Sequence, residues 1–170
     1  MLEAIASLDR AVDRAIDRVR SPRVDGIVYR LSSAADHSLL WHTCGAITAL
    51  ARDGDVEFAA RFAIAMGAES LITNGAVKTI FQRVRPAEYA DIAFHHGLHR
   101  PITSSFPSGH ATAAFCAARL LGGGAGWYTL AGAVAATRVY VRLHHASDVA
   151  AGAAFGLALG SALKRFVDRR

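Results

Sequence analysis

From Phe58 to Phe81 the chain runs apolar for long enough to cross a bilayer, since about 20 such residues span the hydrocarbon core. Few folds accept a segment of this kind. It carries Glu69 and Asn74 inside it, and an ionisable group there is costly unless it is paired or faces a polar interior. Arg119 is a candidate partner for Glu69, and Asn74, one turn before Lys78, is placed to orient that ammonium or to bond another helix. The composition agrees with a membrane setting, at 52% hydrophobic and 19% charged with a mean hydropathy of +0.25. A soluble domain of 170 residues rarely reads so apolar.

The neighbouring stretches repeat the pattern. A shorter helical stretch covers 38–52, with a start near Ile27 as an alternative, and the acidic turn Asp53-Gly54-Asp55 follows. His110 to Leu121, Trp127 to Val141 and Asp148 to Leu163 read as further helices, and Gly122-Gly123-Gly124 breaks the first from the second. Gly152, Gly156 and Gly160 recur every four residues on the last helix. Such a face lets helices approach closely in lipid, within one chain or between chains. Ahead of these, Leu2, Ile5, Leu8, Val12, Ile16 and Val19 have helical spacing, with Asp9, Arg10, Asp13, Arg14, Asp17 and Arg18 on the other faces. This amphipathic helix ends at Ser21-Pro22 and suits either the membrane surface or a protein face. No segment alternates as a strand. The expected fold is all-α: one domain over 1–170, with an amphipathic helix at 1–22 and a bundle core of about five spans at 38–164.

Lys plus Arg is 19 and Asp plus Glu is 14, a net charge of +5. A basic chain suits nucleic acid, anionic lipid or a phosphate substrate. No basic stretch carries an aromatic stacking platform, which argues against nucleic acid. Cys44 and Cys116 lie in apolar stretches and read as small buried hydrophobes. The N-terminus is charged throughout and does not read as a cleavable signal. His95, His96 and His99 fall in a polar segment, where a solvated loop or headgroup contact is favoured over a metal site.

Three separated segments hold residues suited to phosphate. Lys78 and Arg85-Pro86 lie at and past the end of one helix, and Pro107-Ser108-Gly109-His110 opens the next. Arg138 to His144 closes another, and Asp148 opens the last. With alternating helix directions, all of them fall on one face of the bundle. Arg85 and Arg138 fork onto phosphate oxygens, and Lys78 adds a point charge. At Ser108 and Gly109 the free N–H groups of a helix start form an anion site. His110, in the first turn, suits a general acid. His144 and Asp148 are four residues apart, so a helical turn puts them on one face. A carboxylate on one ring nitrogen leaves the other free to attack phosphorus.

This ordered set resembles the type 2 phosphatidic acid phosphatase (PAP2) superfamily, which also includes bacterial acid phosphatases and vanadium haloperoxidases. Lys78 and Arg85-Pro86 have the family's six intervening residues, Pro107 to His110 match outright, and Arg138, His144 and Asp148 keep its spacing. The one departure is Thr137, where the family usually has serine. The resemblance implies His144 as nucleophile, Asp148 as its orienting partner and His110 as acid. It implies phosphate binding by Lys78, Arg85, Ser108, Gly109 and Arg138, with neither metal nor cofactor. Spacing to Arg138 and Asp148 selects His144 over His145.

The function expected is a multi-pass bacterial plasma-membrane phosphatase acting on a lipid phosphate through a phosphohistidine. Polyprenyl phosphate or pyrophosphate, a prenyl-linked sugar phosphate, phosphatidic acid and phosphatidylglycerol phosphate are the candidate substrates. The rivals are a vanadium haloperoxidase-like enzyme and a non-catalytic membrane scaffold with a relict site. Lipid substrate and bilayer are the expected partners, with oligomerisation and the membrane face of the site left open.

Overall fold

The computed structural model describes residues 2–86 and 103–169, and every regular element among them is helical. Helix α1 is Leu2–Asp17, and α2 is Pro22–Ala34. A 3-10 turn at Asp36–Ser38 leads into α3, Leu39–Leu50. Helix α4 is Val56–Ser70 and continues through a π-helical segment, Leu71–Val77, into a last turn at Lys78–Ile80. Then come α5 (Gly109–Leu120), α6 (Ala125–Tyr140) and α7 (Ala146–Val167).

The expected helices form, with one addition. Residues 22–34 make a separate helix, where the sequence suggested only an early start to the next one. Its start is readable afterwards: the Ser21 hydroxyl accepts from Val24 N at 3.3 Å, and Pro22 occupies the first turn. Glu69 is buried and accepts a bond from Thr73 Oγ1 at 2.9 Å. Arg119 turns to Ser161 Oγ at 3.2 Å, so it is not Glu69's partner. Asn74 Nδ2 donates to Ser70 Oγ at 3.2 Å. Both cysteines are free, Cys116 buried and Cys44 half-buried.

Helix α5 is the centre. No residue of it is exposed, and it packs on α3, α4, α6 and above all α7. Its interior is Ala111, Ala113, Ala114, Cys116, Ala117 and Ala118, short side chains that admit neighbours on every side. The closest neighbour is α7. A Cβ at Gly152 would sit 2.6 Å from the Ser108 carbonyl, and one at Gly156 would collide with the Thr112 carbonyl. The glycine face therefore joins two helices of the same chain.

Helices α3 and α4 pack through Trp41, Gly45, Phe58 and Phe62 and present Ile47, Leu50, Val56, Ile64, Leu71 and Ile80 outward. Among the described residues, only α7 is both long and apolar enough to cross a membrane by itself.

Candidate active site

The three sequence segments meet at one end of the bundle. The Ser108 N–H donates to the Asp148 carbonyl at 3.0 Å, which ties the start of α5 to the start of α7. His144 N and Leu143 N both donate to the Arg138 carbonyl at 3.1 Å. The turn leaving α6 thus places His144 a fixed distance from Arg138. Lys78, Arg85, Gly109, His110, Arg138 and His144 all line one cleft of about 520 Å³, while Ser108 and Asp148 are fully buried behind it.

Local structure explains each placement. The π-helical segment Leu71–Val77 ends at Lys78, and π turns are rare and recur at functional sites. Gly109 has no side chain where a Cβ would meet Asn74 Oδ1 at 2.9 Å and Lys78 Nζ at 3.3 Å. That absence lets the ammonium reach the amino end of α5. Ser108 caps this helix, its hydroxyl accepting from Ala111 N at 3.4 Å. The peptide bond from Phe106 to Pro107 is cis.

The two arginines are buried and aimed by carbonyls. Arg85 Nη1 donates to the Leu143 carbonyl at 2.7 Å, and Nη2 donates to the Thr103 and Ser104 carbonyls at 3.2 Å each. Its Nη1 also lies 3.3 Å from His144 Nε2. Arg138 donates to Ser32 Oγ and stands 3.7 Å from Asp36 Oδ1. Both guanidinium groups are thereby fixed before any anion arrives, and preorganised cations of this kind stabilise developing charge without reorganising.

The histidines differ in their surroundings. His144 Nδ1 is 2.6 Å from the Ser105 carbonyl, an acceptor only, so that nitrogen carries the proton. Nε2 then holds the lone pair and faces the cleft side of Arg85. Asp148 Oδ2 lies 3.9 Å from Nδ1, beyond hydrogen-bond reach. Its carboxylate instead accepts from His145 N at 2.9 Å and from Arg83 Nη1 at 2.6 Å. Burial, reinforced by Arg85, Arg138 and Lys78, holds the His144 ring well below the ordinary histidine pKa, and the Ser105 bond opposes this only in part. His144 is therefore neutral at neutral pH. His110 sits across the cleft, its Nε2 2.8 Å from Asp36 Oδ1.

Sequence reasoning missed Arg83, Asp9, Asp36, Ser32 and Ser105. Ser105 and Ser32 act through backbone position and short hydroxyl contacts, which leave no pattern. Asp9 belongs to a visible set, since Asp9, Asp13 and Asp17 are four residues apart and share a helix face. His95, His96 and His99 lie outside the described residues. Among the described residues, no group of three or more His, Cys, Asp or Glu is arranged to hold a metal ion.

The family model of the PAP2 superfamily matches residues 58–170. The crystal structure of a transmembrane PAP2-type phosphatidylglycerolphosphate phosphatase from Bacillus subtilis has the same fold. It aligns with a TM-score of 0.75 and 23% identity, covering 96% of this chain and 86% of the other. LpxE of Aquifex aeolicus aligns with a TM-score of 0.72 and 24% identity, over 93% of this chain and 95% of that one. No functionally curated protein matches the chain.

Proposed function

Because the chain belongs to the PAP2 superfamily, we propose that it hydrolyses the terminal phosphate of a lipid through a phosphohistidine on His144. One observation carries this reading: a buried, neutral His144 is anchored through Nδ1 on Ser105 and turns Nε2 into a cleft lined by Arg85, Arg138 and Lys78.

The phosphate binds Arg85, Arg138 and Lys78 and accepts from the N–H groups at the start of α5. The Nε2 lone pair attacks phosphorus while the ester P–O bond breaks, and His110 gives its proton to the departing alkoxide. Water then attacks the phosphohistidine, and His110 takes the proton released. Inorganic phosphate leaves and both histidines are restored. Three fixed cations suit a transition state whose charge spreads over the phosphoryl oxygens. The chain's own residues supply each of these roles, with no metal or cofactor in any step.

The lipid character of the substrate follows from the bundle. The cleft runs from the cations past Asn74 and Ser70 to Gly67 and Met66, between α3, α4 and α5. Apolar side chains of α3 and α4 face outward on both sides. We read α3 to α7 as five spans of a multi-pass membrane protein with the phosphate set at headgroup level. Prenyl phosphates, phosphatidic acid and phosphatidylglycerol phosphate all present a terminal phosphate on an apolar tail; the last is the class named for the Bacillus neighbour.

The test is phosphate release by purified protein in mixed micelles of each of these lipids, wild type against His144→Ala. Release by wild type, abolished in the variant, is expected. Equal release by both removes His144 as nucleophile, and no release from any of them overturns the reading.

A further inference from the structure

Helix α1 turns its acidic stripe toward the rest of the protein and its apolar Leu8 away from it. Leu8 is 59% exposed, while Asp9 is 3% exposed. A carboxylate so enclosed is costly unless it is paired and hydrogen-bonded, and Asp9 is both. Its Oδ1 accepts from Ser147 N at 2.9 Å, and its Oδ2 accepts from Ser147 Oγ and from Arg83 Nη2, each at 2.8 Å. These bonds outweigh burial, which acts to raise the pKa, and hold the carboxyl below its usual range.

The other nitrogen of the same guanidinium, Arg83 Nη1, donates to Asp148 Oδ1 at 2.6 Å and to Ser147 Oγ at 2.7 Å. One planar fork therefore bridges a carboxylate of α1 and the carboxylate at the start of α7. Asp148 Oδ2 is the atom 3.9 Å from His144 Nδ1. One turn further along the stripe, Asp13 pairs with Arg142. Asp17 accepts from Arg142 Nη2 at 2.6 Å, and the Asp13 carbonyl accepts from the same nitrogen at 3.1 Å. Arg142 lies two residues before His144 and has a φ of 58°, a left-handed backbone that a non-glycine residue keeps only when its surroundings hold it. The acidic stripe thus grips both chain segments that flank the nucleophile.

We infer that Asp9 is a positioning residue: through Arg83 and Ser147 it fixes the start of α7, at the end of the turn that carries His144, so that α1 sets the geometry of the reacting histidine. The inference rests on the phosphatase reading for its kinetic consequence. The coupling itself is a matter of geometry and has its own readout.

Full-length Asp9→Asn, Asp9→Glu and Arg83→Gln proteins, the double variant Asp9→Asn/Arg83→Gln, and the exposed α1 control Arg10→Gln are compared with wild type. Phosphatidic acid in mixed micelles is the probe. Asp9→Asn lowers kcat about 10- to 100-fold with KM within about twofold, as expected when a reacting group is displaced by a fraction of its working distance. Asp9→Glu restores part of the loss, the double variant is no slower than the slower single, and Arg10→Gln matches wild type. Losses that multiply, a change confined to KM, or a wild-type kcat in Asp9→Asn overturn the inference.

Nitrogen-15 NMR of the histidine rings in the same proteins reads the coupling without turnover. Asp9→Asn and Arg83→Gln shift the His144 ring signals, identified by their loss in His144→Ala, and leave those of His42 in place. Unmoved His144 signals overturn the inference whatever the activity. Moved signals in a wild-type protein that releases phosphate from none of the lipids tested above support the coupling and remove the phosphatase reading.

Discussion

Helix α7 meets α5 along its length and α1 at its start, and the two contacts are made of opposite materials. Against α5 it offers Gly152, Gly156 and Gly160 to the Ser108, Thr112 and Cys116 carbonyls, backbone almost on backbone. Against α1 it offers Ser147 and Asp148, tied through Arg83 to Asp9. The first contact is short-ranged and insensitive to pH or salt; the second is electrostatic. The difference separates what keeps the bundle together from what holds the segments on either side of His144.

The largest effect is expected where the first contact is filled. Gly156→Val forces a branched side chain into the Thr112 carbonyl, and overpacking against backbone costs about 3 kcal/mol or more. The variant should lose most of its thermal stability in detergent, and wild-type melting would refute the seam. Next is Arg138→Lys, which keeps a cation but loses the planar fork anchored on Ser32. A fall of about 100-fold in kcat with an unchanged melting temperature is expected; a matching fall in stability would make Arg138 part of the scaffold instead.

Arg142→Gln breaks the clamp without touching the seam. Removing it takes the shared guanidinium from Asp13 and Asp17 and should cost about 1–3 kcal/mol. Limited proteolysis should then cut between α1 and α2 while α5 to α7 stay intact. The smallest effect is one of pH. Asp9 has a folded-state pKa below its unfolded one, so its stabilisation is complete above about pH 4 and fades as the pH falls through the folded value. The α1–α2 link should become protease-sensitive in acid before the bundle unfolds, and Asp9→Asn should abolish that pH step. His144 has the same sign for a different reason. Its lowered pKa keeps the ring neutral below the ordinary histidine range, so the acid limb of kcat/KM should lie under about pH 6.5. A limb above that value would contradict the burial of His144.

How much of this was legible in the sequence follows the same division. Apolar periodicity placed α3 to α7, and the four-residue glycine spacing marked the face that now meets α5, because both patterns lie within single helices. The spacings of Lys78 to Arg85 and of Arg138 to Asp148 likewise picked out groups that line or back one cleft. The clamp was not legible. Asp9 meets Ser147 across 138 positions and Arg83 meets Asp148 across 65, and no local spacing encodes such pairs. Helix α2 was missed for a different reason. Its capping serine and proline are a start signal, but they were read only as the end of α1.

The full enclosure of α5 has a consequence for the clock on which each part of the site opens. With no exposed residue, its hydrogen-bonded interior amides exchange with solvent only when the bundle opens, whereas those of α1 exchange whenever the contacts through Arg83 and Arg142 let go. His110 is thus carried by the slowest-exchanging helix, while the segments that flank His144 are held by one of the fastest. Deuterium uptake should reach α1 long before it reaches the interior of α5.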